Sequence, residues 1–159
     1  MTWRGSITPT DRIFACLPYL LPLISALMFG TFLFKEFPGL QVILLPLAPI
    51  MAIYSALPFA NLIVFFALYL GVVRNENISH FIRFNAMQAI LLDIVLFLCQ
   101  VLVQYVLLPA LQGGLVLETI FNVVFLGAIA AILYSVVQSV LGRYAEIPTL
   151  SDAVYMQVR

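Results

Sequence analysis

Residues 80–108 read HFIRFNAMQAILLDIVLFLCQVLVQYVLL. The run is largely apolar and exceeds the roughly 20 residues, at about 1.5 Å each, that carry a helix across a bilayer core. It nevertheless contains Asn85, Gln88, Asp93, Gln100 and Gln104. At about 100° per residue, Asp93, Gln100 and Gln104 fall within a sector of roughly 40°, whereas Asn85 and Gln88 sit apart, nearer the flank marked by Arg83. A carboxyl at bilayer depth costs at least ~2.5–3.5 kcal/mol on insertion scales, so Asp93 is expected to face protein, water or another polar group, not lipid.

Composition sets the class. The chain has 159 residues, of which 64% are hydrophobic and only 9% charged, with a mean hydropathy of +1.14. Soluble domains carry about 25% charged residues, so this is an all-α integral membrane protein. Seven basic residues balance seven acidic ones, and the basic ones are too dispersed to track a phosphate backbone, which argues against a nucleic-acid partner. Cys16 and Cys99 lie in apolar runs without metal-ligand spacing and read as packing residues. His80 is the only histidine; near a membrane surface it reads as a solvated or capping group. No metalloprotease, nucleophile-elbow or phosphate-loop motif is present. Neither an enzyme nor a cofactor or metal is expected.

Residues 1–12 form a short polar head with Trp3, Arg4 and Arg12. Residues 13–34 read as a first span kinked by Pro18 and Pro22; the run is longer than a signal-peptide core. Residues 39–56 are apolar but interrupted by Pro46 and Pro49, and 57–73 read as the second span. Asn77 or Ser79 can cap the third, 84–108. The fourth, 116–141, carries Gly127, Ala131 and Ser135 at four-residue intervals, a spacing that lets membrane helices approach closely. The tail, 142–159, is polar with a short apolar-aromatic end.

Charge arbitrates the ambiguous stretch. With 39–56 interfacial or re-entrant there are four spans, and Arg4, Arg12, Arg74, Arg83, Arg143 and Arg159 share the side of the termini, leaving only Lys35 opposite. Positive-inside then places both termini in the cytoplasm or stroma. A fifth span scatters these charges. The expectation is a four-helix bundle across 13–141 in which Asp93 pairs with Gln, Asn or Tyr of another helix. The face formed with Gln100 and Gln104 is either a helix contact or the lining of a polar path. Asp93→Leu is expected to be the most disruptive single span substitution.

Three segments carry a resemblance. RNENISHFIRFNAMQAILLDI (74–94), GRYAEIPTLSDAVYMQVR (142–159) and DRIFACLPYLLPLI (11–24) closely resemble the twenty-kilodalton subunit family of the chloroplast inner-envelope translocon, the Tic machinery. Polar and aromatic residues at fixed places carry the likeness: Arg83, Asn85 and Gln88 at the start of the third span, then Asp93, Arg143, Tyr144 and Pro148. The lack of an organellar transit extension makes the chain similar to a cyanobacterial or plastid-encoded member. The resemblance implies a non-enzymatic, multi-pass subunit of a preprotein translocation complex in a cyanobacterial plasma or thylakoid membrane or the plastid inner envelope. Its implied partners are other membrane subunits or further copies of itself, preprotein clients and lipid. A structural or assembly subunit docked on a larger, photosynthetic complex is the alternative, because family transfers fold more safely than role.

Overall fold

The computed structural model describes residues 6–159, so Trp3 and Arg4 of the basic head lie outside the described residues. Helix α1 (Pro9–Glu36) is followed by α2 (Pro38–Ala56), α3 (Ala60–Val73), α4 (His80–Leu111), α5 (Leu115–Val140) and α6 (Leu150–Gln157). Four of them, α1, α2, α4 and α5, are long and apolar enough to cross a membrane.

Local sequence explains the irregularities. Thr8 opens α1 with a capping box, its Oγ1 accepting from Asp11 N at 3.2 Å while Asp11 Oδ2 accepts from Thr8 N at 3.0 Å. The 3-10 turn at Leu17–Tyr19 precedes Pro22, which cannot donate to the carbonyl one turn back, and the helix tightens without breaking. A π turn at Val103–Leu107 stands before Pro109 for the same reason. Helix α5 ends in a Schellman motif: Gly142 takes φ 72°, its N–H donates to Ser139 O at 3.0 Å, and Arg143 N donates to Gln138 O at 2.8 Å.

Contacts between helix ends define two ends of the bundle. At the terminal end, Ser79 Oγ donates to Asp11 Oδ1 at 3.4 Å, Arg12 Nη1 to Val140 O at 3.3 Å and Arg83 Nη1 to Arg159 O at 3.2 Å. The starts of α1 and α4, the end of α5 and the C-terminal segment therefore meet there. At the far end an aromatic cluster joins α1 to α5, with Phe29, Phe32 and Phe34 packed on Phe121 and Phe125.

The residues between α1 and α4 divide differently from the hydropathy reading of an interfacial 39–56 and a spanning 57–73. Helix α3 comprises nine α-helical residues and a five-residue π turn, about 21 Å long at 1.5 Å per residue and short of the ~30 Å core. Helix α2 starts at the far end, where Gln41 Nε2 donates to Phe34 O at 3.2 Å, and its Leu44 and Leu47 pack on the far-end cluster. Farther along, Ile50 and Tyr54 face Ile24 across a lateral groove. After a turn at Phe59 (φ 58°), α3 runs from Asn61, beside Asp93, to Val73 at the terminal end. The two segments thus share one traverse of the bundle. Pro46 and Pro49 are the cause: each lacks an N–H, so Pro38–Leu47 winds as a 3-10 helix and α2 is not a straight span.

Helix α4 is central, with buried residues on every side of its first half: Phe84, Asn85, Ala86, Gln88 and Ala89 are all fully buried. The tail is not a loose polar extension. Val154 and Val158 enter a core cluster with Leu21, Val73, Phe84, Met87 and Ile90.

Candidate functional site

The polar side chains of α4 fall into four groups along its length. Nearest the terminal end, Ser79 caps the helix, its Oγ accepting from Ile82 N at 3.5 Å. His80 is half-buried, with Nδ1 3.0 Å from Tyr144 Oη and Nε2 3.3 Å from Val158 O. Arg83 is 8% exposed and bridges two elements, its Nε donating to Val73 O at 2.9 Å and its Nη1 reaching Arg159 O. The fixed fork of a guanidinium suits this double reach.

One turn deeper lies a closed network. Tyr19 Oη and Ser139 Oγ each approach Asn85 Oδ1 to 2.9 Å, and Asn85 Nδ2 donates to Phe81 O at 2.9 Å. Gln88 Nε2 lies 3.1 Å from Tyr19 Oη, 3.2 Å from Ser135 Oγ and 2.8 Å from Ala145 O, and Gln88 Oε1 accepts from Ser151 Oγ at 3.1 Å. Asn85 and Gln88 are the two amides that helical phase alone set apart from the Asp93 sector. They face α1, α5 and α6 together, and both are fully buried.

Asp93 occupies the third level, 4% exposed. Ser25 Oγ of α1 donates to its Oδ1, and Asn61 Nδ2 of α3 donates to its Oδ2 at 3.3 Å. The carboxyl thus receives two donors and is buried between α1 and α3.

Gln100 and Gln104 do not join it. Gln100 is half-exposed, Gln104 is exposed at the start of the π turn, and neither makes a side-chain hydrogen bond to another described residue. The small-residue stripe of α5 divides as well. Ser135 is buried in the network and Ala131 is half-buried, but a Cβ placed on Gly127 would meet nothing within 4 Å. Close approach occurs at Gly30 instead, where a Cβ would stand 2.6 Å from Phe34 and 2.9 Å from Phe125. In a sequence, Gly30 carries no sign of this, because its partner lies 95 positions away in a different helix.

This four-level arrangement accompanies a match over most of the chain. The family model described as "Chloroplast import apparatus Tic20-like" matches residues 9–154. The chain belongs to the Tic20 family. A Tic20 family protein of Synechocystis sp. is 58% identical over 149 residues, covering 94% of this chain and 93% of the relative. Protein TIC 20-II, chloroplastic, of Arabidopsis thaliana is 38% identical over 99% of this chain and 78% of its own length. The Tic20 family protein Ycf60 of Gracilaria tenuistipitata is 34% identical over 97% and 78%. The chain is accordingly a multi-pass membrane protein of the cyanobacterial and plastid Tic20 type, a family tied by name to protein import. The matched region spans all the residues of the two inner networks.

Proposed function

We propose that this Tic20-family chain is a non-enzymatic membrane subunit of a preprotein translocation complex and contributes, with partner subunits or further copies, to a protein-conducting path. The family match over residues 9–154 carries the reading. The packing bears on where a path would run. Tyr19, Phe84, Asn85, Gln88 and Ser135 fill the axis of the bundle and are each at most 1% exposed, so an extended polypeptide has no room inside one chain. Such a path would lie between chains, with this bundle as one wall.

Orientation follows from charge. Arg12, Arg74, Arg83, Arg143 and Arg159 belong to the terminal end, and Lys35 to the far end. By the positive-inside rule the terminal end faces the cytoplasm or stroma.

A second reading, a structural or assembly subunit of a larger membrane complex, draws on the same network: Asn85 and Gln88 are satisfied within the chain, as expected of groups that lock a bundle. Copurification from native membranes in mild detergent, with every partner counted, separates the two. Recovery with translocation-type subunits and crosslinking to an arrested, unfolded client supports the path. Recovery with a single large complex at fixed stoichiometry, together with no conductance on reconstitution, replaces it with the assembly role.

A further inference from the structure

The lateral groove beside Ile24 covers the depth of one leaflet. Along α1 it runs from Phe14, two residues past Arg12 of the terminal end, to Ile24, next to the Ser25 that donates to Asp93. That distance is about 15 Å at 1.5 Å per residue, half of a ~30 Å hydrocarbon core. The α3 wall, Val64 to Val72, covers the same depth, because α3 runs from Asn61 beside Asp93 to Val73 beside Arg83. The groove measures about 610 Å³, a volume typical of ligand sites. Among the described residues that line it, only Tyr54 carries a polar side-chain atom.

At the terminal end the groove meets a polar chamber of about 720 Å³, and Ile78 lines both. Glu76, Asn77 and Ser79 stand beside Ile78 in the chamber wall, and Asp11 joins them by accepting from Ser79 Oγ at 3.4 Å. Of the two arginines in the same wall, Arg83 already donates to Val73 O and Arg159 O. We propose that groove and chamber together hold one lipid of the terminal-side leaflet. Its acyl chains lie between α1 and α3, and its uncharged, hydroxyl-bearing headgroup lies among Asp11, Glu76 and Asn77.

Depth and polarity select this occupant. A spanning helix crosses both leaflets with about 20 residues, twice the depth that the groove provides. An extended polypeptide carries N–H and C=O groups that these apolar walls leave unsatisfied. Acyl chains have no such groups, and a lipid is apolar for one leaflet and polar at one end, the same succession of surfaces that groove and chamber present. The carboxylates of Asp11 and Glu76 repel an anionic headgroup. Beside their acceptors the Asn77 amide offers donors, and a hydroxyl answers both, since it donates and accepts.

The test reconstitutes the full chain in nanodiscs of equal parts hexosyl diacylglycerol, phosphatidylcholine and phosphatidylglycerol with matched acyl chains. Lipids retained after transfer to mild detergent are counted by mass spectrometry. The hexosyl lipid is expected to be enriched roughly tenfold over its share of the bilayer, the scale of one net hydrogen bond. Leu17→Trp fills the groove from a half-exposed position and should abolish retention, whereas Leu133→Trp on exposed α5 should not. Glu76→Lys, at an exposed position, should move retention toward phosphatidylglycerol while circular dichroism stays parental. Retention in bilayer proportions, preference of the parent for phosphatidylglycerol, or equal loss in Leu133→Trp overturns the proposal. So does a photocrosslinking residue at position 17 that captures polypeptide instead of a diacyl lipid in native membranes. None of these results touches the translocation-subunit reading, which is decided by the partner census.

Discussion

Gln88 Nε2 stands 2.8 Å from the carbonyl of Ala145, which fastens the first third of α4 to the segment that leads into the C-terminal helix. The same amide faces Tyr19 of α1 and Ser135 of α5, and its Oε1 accepts from Ser151 of α6. A single side chain therefore sets the rotation of four helices about one another. Geometric specificity of this sort is what lipid-embedded helices need, because apolar surfaces alone do not distinguish one rotation from another.

Gln88→Leu should consequently destabilise the chain more than its loss of one amide implies. Each buried group left without its partner costs about 1–3 kcal/mol, and Ala145 O, Ser151 and Ser135 are all exposed to that loss. A destabilisation on the order of 3 kcal/mol is expected, seen as a lower unfolding temperature in detergent and as faster protease cleavage between Arg143 and Leu150. A Gln88→Leu protein with the parental melting temperature would show that the network holds nothing together.

Asp93 gives a graded test. Asp93→Asn retains an oxygen acceptor for Ser25 or Asn61, whereas Asp93→Leu retains none. The leucine variant should lose assembly and stability by about 1–3 kcal/mol, with α3 loosened first at its Asn61 end, since only the Arg83 bond to Val73 O still ties it to α4 by a polar contact. The asparagine variant should fall between leucine and the parent. Amide exchange measured separately over residues 60–73 and over α5 checks the order: selective deprotection of α3 is expected, and a uniform change across both would contradict it.

Two glycines should answer the same substitution in opposite ways. Gly30→Ala places a methyl 2.6 Å from Phe34 and 2.9 Å from Phe125, and overpacking typically costs about 1–3 kcal/mol. Gly127→Ala meets nothing within 4 Å and should leave the stability of the isolated chain within about 0.5 kcal/mol of the parent. Paired melting curves in the same detergent decide the matter, and equal shifts would mean that α1 and α5 are not crossed at Gly30.

Arg83→Lys should not substitute for arginine. The guanidinium reaches Val73 O and Arg159 O from different nitrogens, 2.9 and 3.2 Å away, and an ammonium supplies a single point. The lysine variant is expected to keep the fold while the last residues become several-fold more accessible to carboxypeptidase. Equal digestion of variant and parent would remove Arg83 as the clasp of the C-terminal segment.

The polar residues of 80–108 were legible as an anomaly, and Asp93 was read as a group that would face protein or a polar group of another helix; in the bundle it is buried, with Ser25 and Asn61 donating to it. What eluded sequence reasoning was the weight of Asn85 and Gln88. Their phase set them off the Asp93 sector, yet α4 is enclosed on more than one side, so being off that sector did not mean facing outward. Gln104 shows the converse: it shares the nominal phase of Asp93 but is exposed, in a π turn at Val103–Leu107 that shifts the helical phase.

By itself, the sequence determined the class, an all-α membrane chain with long apolar helices, the polar load on one central helix, and membership of the Tic20 family. Those features are local or additive: hydropathy, length and residue type survive whatever the helices pack against. Tertiary structure alone decided which polar groups meet, that α2 and α3 share one traverse, and that Gly30 rather than Gly127 lies at the close crossing. Each depends on how the helices are rotated and staggered. The 3-10 and π turns shift that rotation within a helix, and in hydrocarbon an apolar side chain is equally at home facing lipid or protein, so the pattern of apolar residues carries no record of which face is buried.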